Sequence, residues 1–185
     1  VPGTHDTKLL FNCLKNLKKK NFRKFSVPRF DKSRDDRFPK KQWQIFKKKP
    51  DIVIFEGWCV GVTPQKNKDL KIPINTLEKK NDTNRIWRYR VNDELKKKYK
   101  KIFNLIDFII FLKVPSFKHV FKWRLLQEKK LQVNSAGKKV MNKDQIKKFV
   151  MFYERLTKHM FNNMVKVNAV IKIDTKHRLK TIKFK

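Results

Sequence analysis

Residues 52–58 read Ile-Val-Ile-Phe-Glu-Gly-Trp and carry the strongest local signal in the sequence. Its four apolar residues stand between Pro50-Asp51 and Glu56-Gly57. A short apolar run with such boundaries is typical of a strand buried in a parallel sheet. Ligands of these sheets bind beyond the carboxyl ends of the strands, where Glu56 is expected to lie. A carboxylate there can bind Mg²⁺, directly or through water; the alternative is a loop residue without chemistry.

The segments around this run alternate between predicted strands and predicted helices. Further strands are expected over 25–30, 106–114 and 169–173. Helices are expected from Asp6 to Leu17, over 40–46, 93–103 and 115–132, and after Asn142. Residues 63–92 form a long polar segment with few periodic apolar positions. The alternation predicts a single α/β domain over residues 1–185 with a mostly parallel sheet.

Positive charge is the anomaly of the composition. The 185 residues include 49 Lys+Arg and 16 Asp+Glu, a net charge of +33. Two interpretations stay open: a surface that binds nucleic acid without regard to sequence, or compositional drift toward lysine. The spread of the lysines and the lack of an RNA-binding signature favour drift. No apolar run is long enough for a membrane span. Two cysteines are too few for a disulfide framework, which fits a reduced, cytoplasmic compartment.

Two charged segments offer further candidate residues. In the first, residues 28–37, carboxylates alternate with guanidinium groups, so Arg37 could bind an acidic ligand and Asp31 or Asp36 a hydroxyl. A solvated charged loop is the alternative. In the second, residues 121–128, Arg124 lies on a predicted helix, where an arginine can neutralise phosphoryl charge. Its alternative is an ion pair with Glu128 one turn along the helix. Trp123 is expected in the core rather than in a site.

Taken in order, these segments resemble D-glycerate 3-kinase and its relatives, which are P-loop kinases related to uridine kinase and pantothenate kinase. The resemblance covers essentially all 185 residues. It is carried by Pro2-Gly3-Thr4-His5-Asp6, Pro28-Arg29-Phe30-Asp31-Lys32-Ser33, Asp35-Asp36-Arg37, Phe55-Glu56-Gly57-Trp58-Cys59-Val60-Gly61, Pro73-Ile74-Asn75, Leu77-Glu78, Trp87-Arg88, Trp123-Arg124, Gln127-Glu128 and Tyr153-Glu154-Arg155-Leu156-Thr157.

The resemblance implies a P-loop kinase-like three-layer fold and an ATP- and Mg²⁺-dependent transfer of phosphate to D-glycerate or a similar small hydroxy acid. It implies that Glu56 lies near the metal and acts in catalysis. It implies that Arg124 covers the nucleotide phosphates and acts in catalysis. Asp174 and Arg178 match positions near the adenine. The residues matching the acceptor-substrate region are Thr4, His5, Asp31, Lys32, Asp36 and Arg37, with Asp6 beside them or acting only as a helix cap.

One departure from the family is large. The family opens with a strand and a glycine-rich loop, GxxGxGK(S/T), followed by a strand ending in a catalytic Asp. The four glycines here, Gly3, Gly57, Gly61 and Gly137, form no such loop. The 185 residues therefore resemble the C-terminal part of such a kinase, and on their own they are expected to be inactive or partly active. A truncated product, one half of a split kinase that pairs with a separately encoded N-terminal half, and a relic all remain open.

Overall fold

The computed structural model describes residues 1–31, 34, 36–134, 141–164 and 166–185. These residues form two compact units. The smaller unit is Asp6–Gly57, and the larger one combines Val1–His5 with Trp58–Lys185. The predicted single domain over residues 1–185 stays a prediction.

The smaller unit begins with helix α1, Thr7–Leu17. Its predicted N-cap is confirmed, because the side chain of Asp6 accepts a hydrogen bond from the backbone N–H of Leu9. Helical spacing of the apolar residues buries Cys13, Leu14 and Leu17 on one face. Four short strands follow: β1 Phe25–Val27, β2 Phe30–Asp31, β3 Asp36–Arg37 and β4 Gln44–Phe46. They form two antiparallel pairs, β1 with β4 and β2 with β3.

The helix predicted over 40–46 is wrong. Lys40–Gln42 form a single 3₁₀ turn, and the chain then extends into β4. The cause is tertiary: Gln44, Ile45 and Phe46 lie opposite the three residues of β1 and take part in its ladder. Sheet pairing over a long sequence separation thus overrides the local pattern.

The buried strand predicted for residues 52–55 is also wrong. Residues 52–57 belong to no strand, and the side chains of Ile52 and Ile54 are 79% and 87% exposed. A buried strand needs neighbours that satisfy its backbone and cover its faces. Among the described residues, no strand pairs with this segment.

The larger unit is built from helices around a three-stranded sheet. Its helices are α2 Thr76–Asn81, α3 Ile86–Glu94, α4 Lys100–Phe103, α5 Phe117–Asn134 and α6 Lys143–Asn163, with a 3₁₀ turn at Asn67–Leu70 and a π-helical segment at Leu95–Tyr99 between α3 and α4. The polar segment 63–92 therefore contains one whole helix and most of another. Asn75 starts α2 by accepting a hydrogen bond from the backbone N–H of Glu78. The apolar pattern missed α3 because that helix buries Arg88, Asn92 and Glu94.

The sheet contains β5 Ile110–Lys113, β6 Ala169–Ile173 and β7 Leu179–Phe184. Strands β5 and β6 are parallel, whereas β7 is antiparallel to β6, so the sheet is mixed and the prediction of a mostly parallel sheet is wrong for the described strands. Strand β7 was not predicted, since Leu179 to Phe184 mixes Lys with apolar residues in an exposed hairpin arm.

The hydrophobic core of the larger unit lies between α6 and the run of helix from α3 to α4. Val91, Leu95 and Tyr99 pack with Leu156 and Met160. Phe111 of β5 packs against the same cluster. Within the described residues, no helix is long and apolar enough to cross a membrane.

Candidate active site

Asp6 and Arg37 form the clearest charged contact among the predicted acceptor residues. The guanidinium Nη1 of Arg37 donates to Asp6 Oδ2 at 3.0 Å, while Asp6 Oδ1 accepts from the backbone N–H of Leu9 at 2.9 Å. The hydrogen bond from Leu9 is the main cause that lowers the pKa of Asp6, and Arg37 adds to it. Both side chains are about half exposed. Asp6 thus caps α1 and orients Arg37 at the same time.

The other acceptor candidates of the smaller unit lie on the β2–β3 pair. Asp31 and Asp36 are directly opposite each other in the ladder. Asp36 Oδ1 accepts from the backbone N–H of Arg37 at 2.7 Å, and Asp31 lies 3.9 Å from Arg34 Nε. Lys32 lies outside the described residues. The structure therefore brings Asp31, Asp36 and Arg37 together on one hairpin.

Glu56 is exposed at the end of the extended segment 52–57. Within the part of the chain that the structure describes, its carboxylate makes no hydrogen bond or ion pair. Its predicted role at a metal ion stays a prediction.

Thr4 and His5 lie in the larger unit. The hydroxyl of Thr4 donates to the carbonyl of Val1 at 2.8 Å. His5 Nδ1 is 2.5 Å from the hydroxyl of the buried Tyr99. Burial lowers the pKa of His5 and raises the pKa of Tyr99 to about 12. At neutral pH the imidazole of His5 and the hydroxyl of Tyr99 are therefore both neutral, and one hydrogen bond joins them.

Arg124 is already engaged on its own helix, α5. Its guanidinium pairs with the carboxylate of Glu128 and donates from Nη1 to Gln127 Oε1 at 2.6 Å. It also lies over the ring of Phe149, 5.4 Å from the centroid. The intrahelical ion pair that the sequence offered as the alternative is thus present, and it is mostly buried rather than exposed. A role for Arg124 at phosphates stays a prediction.

Asp174 and Arg178 organise the turn between β6 and β7. Asp174 Oδ1 accepts from the backbone N–H groups of Lys176 and Arg178, and Oδ2 accepts from Arg178 Nε at 2.9 Å. The N–H of Arg178 is the main cause that lowers the pKa of Asp174. In the same turn His177 has a φ of 63° and its ring lies 4.1 Å from that of Trp123. Asp174 and Arg178, which match family positions near the adenine, therefore have a structural role in this hairpin.

A buried polar network beside α6 was missed by the sequence reasoning. Arg155 binds both carboxylate oxygens of Glu78, at 2.7 and 2.6 Å, and donates to the carbonyls of Asp69 and Ile72. Arg88 is also buried: its Nη1 donates to Asp82 Oδ2 at 3.1 Å, and its Nε donates to the carbonyl of Leu70 at 2.6 Å. One feature of the sequence could have indicated it: Glu78, Arg88 and Arg155 all lie in segments that carry the family resemblance. The resemblance itself implies no role for these three residues.

The described residues offer little for a metal site made of protein side chains alone. They contain no group of three or more His, Cys, Asp or Glu side chains that could hold an ion. Cys13 and Cys59 are free and buried, and burial raises the pKa of Cys59 to about 11. The Cys59 side chain is therefore a neutral thiol at physiological pH, which makes it a poor nucleophile.

Comparisons with known proteins identify relatives of this chain. No family model matches the chain. A protein named "Uncharacterized kinase mug58" from Schizosaccharomyces pombe is 32% identical over 159 residues, 83% of this chain and 55% of its own length. The chloroplastic D-glycerate 3-kinase of Arabidopsis thaliana is 29% identical over 157 residues, 82% of this chain and 32% of its own length. The chain is homologous to D-glycerate 3-kinase and its related kinases.

A solved structure gives the same result for the fold. The D-glycerate 3-kinase of Cryptococcus neoformans superposes on 100% of this chain with a TM-score of 0.78 and 25% identity, using 68% of its own chain. The predicted resemblance and the α/β kinase-like fold class are confirmed. The chain spans roughly a third to a half of the length of these two curated relatives.

Proposed function

We propose that this chain forms part of an ATP-dependent kinase that phosphorylates D-glycerate or a similar small hydroxy acid. The observation that carries the proposal is the superposition of all 185 residues on a D-glycerate 3-kinase. The sequence similarity to the plant D-glycerate 3-kinase, which runs through 82% of the chain, supports the same substrate class. Polypeptide equivalent to the rest of that kinase, separately encoded or not, completes the phosphate site in this proposal. We also propose that the protein acts in the cytoplasm.

The residues assigned to the acceptor substrate are Thr4 and His5 of the larger unit, Lys32, and Asp31, Asp36 and Arg37 on the hairpin of the smaller unit. A guanidinium matches the geometry of a carboxylate and can bind it through two parallel hydrogen bonds. Arg37 Nη1 is held by Asp6, so the rest of its fork is left to bind the carboxylate of a hydroxy acid. The adjacent carboxylates of Asp31 and Asp36 are suited to accept hydrogen bonds from the substrate hydroxyls.

The nucleotide side is assigned to Glu56, Arg124, Asp174 and Arg178. Mg²⁺ typically keeps several waters and takes one or two protein carboxylates beside the phosphates. Glu56 fits such a site because its carboxylate is exposed and makes no hydrogen bond or ion pair with the described residues. Bound Mg²⁺ would neutralise charge that develops on the transferring phosphoryl group. To meet phosphates, Arg124 would have to exchange part of its contact with Gln127 or Glu128.

Nucleic-acid binding is the competing function, and no comparison favours it. A net charge of +33 attracts phosphate groups even when nucleic-acid binding is not the function of the protein. Affinity that falls steeply with salt and ignores sequence would be the expected property of scattered lysines.

The test is a chimeric kinase. In the Cryptococcus enzyme, the superposed residues are replaced by these 185 residues, and ATP-dependent formation of phosphoglycerate is measured. We expect turnover with D-glycerate that requires Mg²⁺. A folded chimera that binds ATP but phosphorylates neither D-glycerate nor a related hydroxy acid would contradict the proposed function.

A further inference from the structure

His5 is an exposed residue whose ring is held by a buried one. Its Nδ1 lies 2.5 Å from the hydroxyl of Tyr99, a residue that is only 4% exposed, and the two rings meet edge-on with their centroids 6.1 Å apart. Within the described part of the chain, the other ring nitrogen of His5, Nε2, has no hydrogen-bond partner. One nitrogen is therefore anchored in the protein, and the other is left for a ligand.

The turn before His5 is fixed in place. The backbone N–H and the hydroxyl of Thr4 both donate to the carbonyl of Val1, at 3.2 and 2.8 Å. Within this turn Gly3 has a φ of 99°, and a Cβ at that position would lie 3.3 Å from Cγ of Glu94 on α3. Glycine suits both the backbone conformation and the close approach. The turn therefore presents His5 in one position.

The hydrogen bonds of the Tyr99 hydroxyl indicate which nitrogen of His5 carries the proton. The phenol oxygen also has a hydrogen bond with the backbone of Gly3, which acts to lower the pKa of Tyr99. A backbone N–H only donates, so this bond leaves the hydroxyl proton available. A buried hydroxyl normally donates to a partner, and the acceptor that it reaches among the described residues is Nδ1 of His5. A neutral imidazole that accepts at Nδ1 carries its proton on Nε2.

We propose that Tyr99 is a positioning residue: it holds neutral His5 with the proton on Nε2 and presents that N–H to the carboxylate of the hydroxy acid. The inference rests on the proposed function for the identity of this ligand. Burial raises the pKa of Tyr99 to about 12 and lowers the pKa of His5, so neither group is ionised at neutral pH. His5 is then a hydrogen-bond donor to the substrate and not the general base, because a base needs an unprotonated nitrogen toward the substrate hydroxyl.

The first experiment locates the proton by nuclear magnetic resonance of the 185-residue protein with isotope-labelled histidine. Long-range proton–nitrogen correlation spectra distinguish protonated from unprotonated ring nitrogens, and the signals lost in His5→Gln assign His5. We expect the proton on Nε2. In Tyr99→Phe the two nitrogen signals of His5 should move toward each other, because both tautomers are then populated. Tyr89→Phe is the control, since that hydroxyl donates to the carbonyl of Asn67 and its removal should leave both signals in place.

The second experiment measures the effect on the substrate in the chimeric kinase. Tyr99→Phe should raise KM for glycerate about three- to tenfold, with a smaller effect on kcat and none on KM for ATP. His5→Gln, which keeps an N–H donor, should lower kcat less than about tenfold, whereas loss of a general base would lower it about a hundredfold or more. Added glycerate should shift the Nε2–H signal of His5 in the chimera.

Four outcomes would overturn the proposal: a proton on Nδ1 in the parent protein, His5 signals that Tyr99→Phe leaves in place, an unchanged KM for glycerate in Tyr99→Phe, or the large loss of kcat in His5→Gln that a general base predicts. The spectra do not depend on turnover. The expected tautomer and a shift of the Nε2–H signal by glycerate, in a chimera that fails to phosphorylate it, would support the positioning role and contradict the proposed function.

Discussion

Asp6 and Arg37 are 31 residues apart in sequence, and their side chains meet at 3.0 Å. The same carboxylate caps α1 through the N–H of Leu9. A helix start and a charged hairpin are therefore fixed to each other by one side chain. Sequence patterns predicted each function separately, the cap from local spacing and the arginine from charge, but not that the two residues share a contact.

Arg37→Ala in the chimeric kinase should weaken binding of glycerate. Loss of a hydrogen-bonded contact to a charged group costs roughly 1.5–3 kcal/mol, which corresponds to a rise in KM of about tenfold to a hundredfold. Steady-state kinetics with varied glycerate measures it. Asp6→Asn is the control, since asparagine still caps the helix while the ion pair with Arg37 is lost. An unchanged KM for Arg37→Ala would return Arg37 to the role of a solvated surface residue.

The ion pair of Arg155 and Glu78 should be the most sensitive site for stability. Both side chains are buried, and Arg155 also ties the carbonyls of Asp69 and Ile72 to α6. Removing one partner leaves an uncompensated buried charge, so Arg155→Met should lower the free energy of unfolding by about 3–5 kcal/mol. Urea unfolding measures the change.

Lys158→Ala provides the matched control for this prediction. Lys158 lies on the same helix and pairs with Glu154, but its side chain is half exposed. An exposed pair contributes at most about 1 kcal/mol. Equal losses for Arg155→Met and Lys158→Ala would contradict the view that burial makes the Arg155 pair important.

The accuracy of the sequence predictions follows the range of the interactions involved. The cap by Asp6 and the start of α6 after Asn142 depend on neighbours within one turn, and both are confirmed. Strand β6 was predicted with its observed bounds because its apolar run pairs on both sides. Residues 52–55 have an equally good apolar pattern, yet the described chain supplies no strand beside them. The apolar residues of a segment show that it can be buried, but they do not show whether another strand is present to pair with it.

In the candidate site too, local features could be predicted and long-range contacts could not. Glu56, Asp31 and Arg37 could be chosen because each is a polar residue at the end of a strand-like segment. The network of Arg155 with Glu78 could not, because its charges lie 77 residues apart and no local period relates them. Arg124 illustrates a third case: the sequence allows two partners, phosphate or Glu128, and the structure shows the ion pair with Glu128.

Glu56→Gln in the chimeric kinase should reduce kcat far more than it changes stability. The carboxylate is exposed, so its replacement by an amide leaves packing intact. If it helps to hold Mg²⁺, the loss of its charge should also shift the Mg²⁺ dependence of turnover to higher concentrations. Asp51→Asn, an exposed acid at the other end of the same segment, is the control. Normal turnover of Glu56→Gln across a Mg²⁺ titration would contradict the assignment.

Lowering the pH should destabilise the protein through protonation of His159, at a higher pH than that at which the carboxylates are protonated. His159 Nε2 lies 3.0 Å from the hydroxyl of Thr63, which itself donates to the carbonyl of Asn163. The imidazole therefore donates to Thr63, and burial lowers the pKa of His159 below its ordinary value of 6.5. Because the unfolded chain takes up the proton first, the free energy of unfolding should fall as pH drops below about 6.5.

His159→Gln checks this prediction, because glutamine can still donate to Thr63 but does not titrate. Urea unfolding between pH 7.5 and 5 should show a smaller fall in stability for the variant than for the parent protein. His5→Gln should flatten the curve independently, since burial lowers the pKa of His5 as well. Identical slopes for parent and His159→Gln would show that the imidazole is equally basic in the folded and unfolded states.

The 185 residues alone should not bind ATP with micromolar affinity. A triphosphate needs backbone N–H groups that converge at a free helix N-terminus, and the sequence holds no GxxGxGK(S/T) loop to provide them. Three helix starts are moreover occupied by their own side chains: Asp6 caps α1, Asn75 caps α2 and Asn142 caps α6. Scattered lysines can attract the nucleotide but cannot position it.

Calorimetry with a non-hydrolysable ATP analogue at about 0.3 M salt measures this binding, because salt at that level screens weak attraction to exposed lysines. The chimeric kinase, which supplies the glycine-rich loop expected for its family, serves as the positive control and should bind in a Mg²⁺-dependent manner. At low salt the 185 residues should show only weak binding that disappears as salt rises. Micromolar, Mg²⁺-dependent binding that persists at about 0.3 M salt would contradict the prediction. It would mean that residues of this chain build the phosphate site, for example by displacing a side chain that caps a helix.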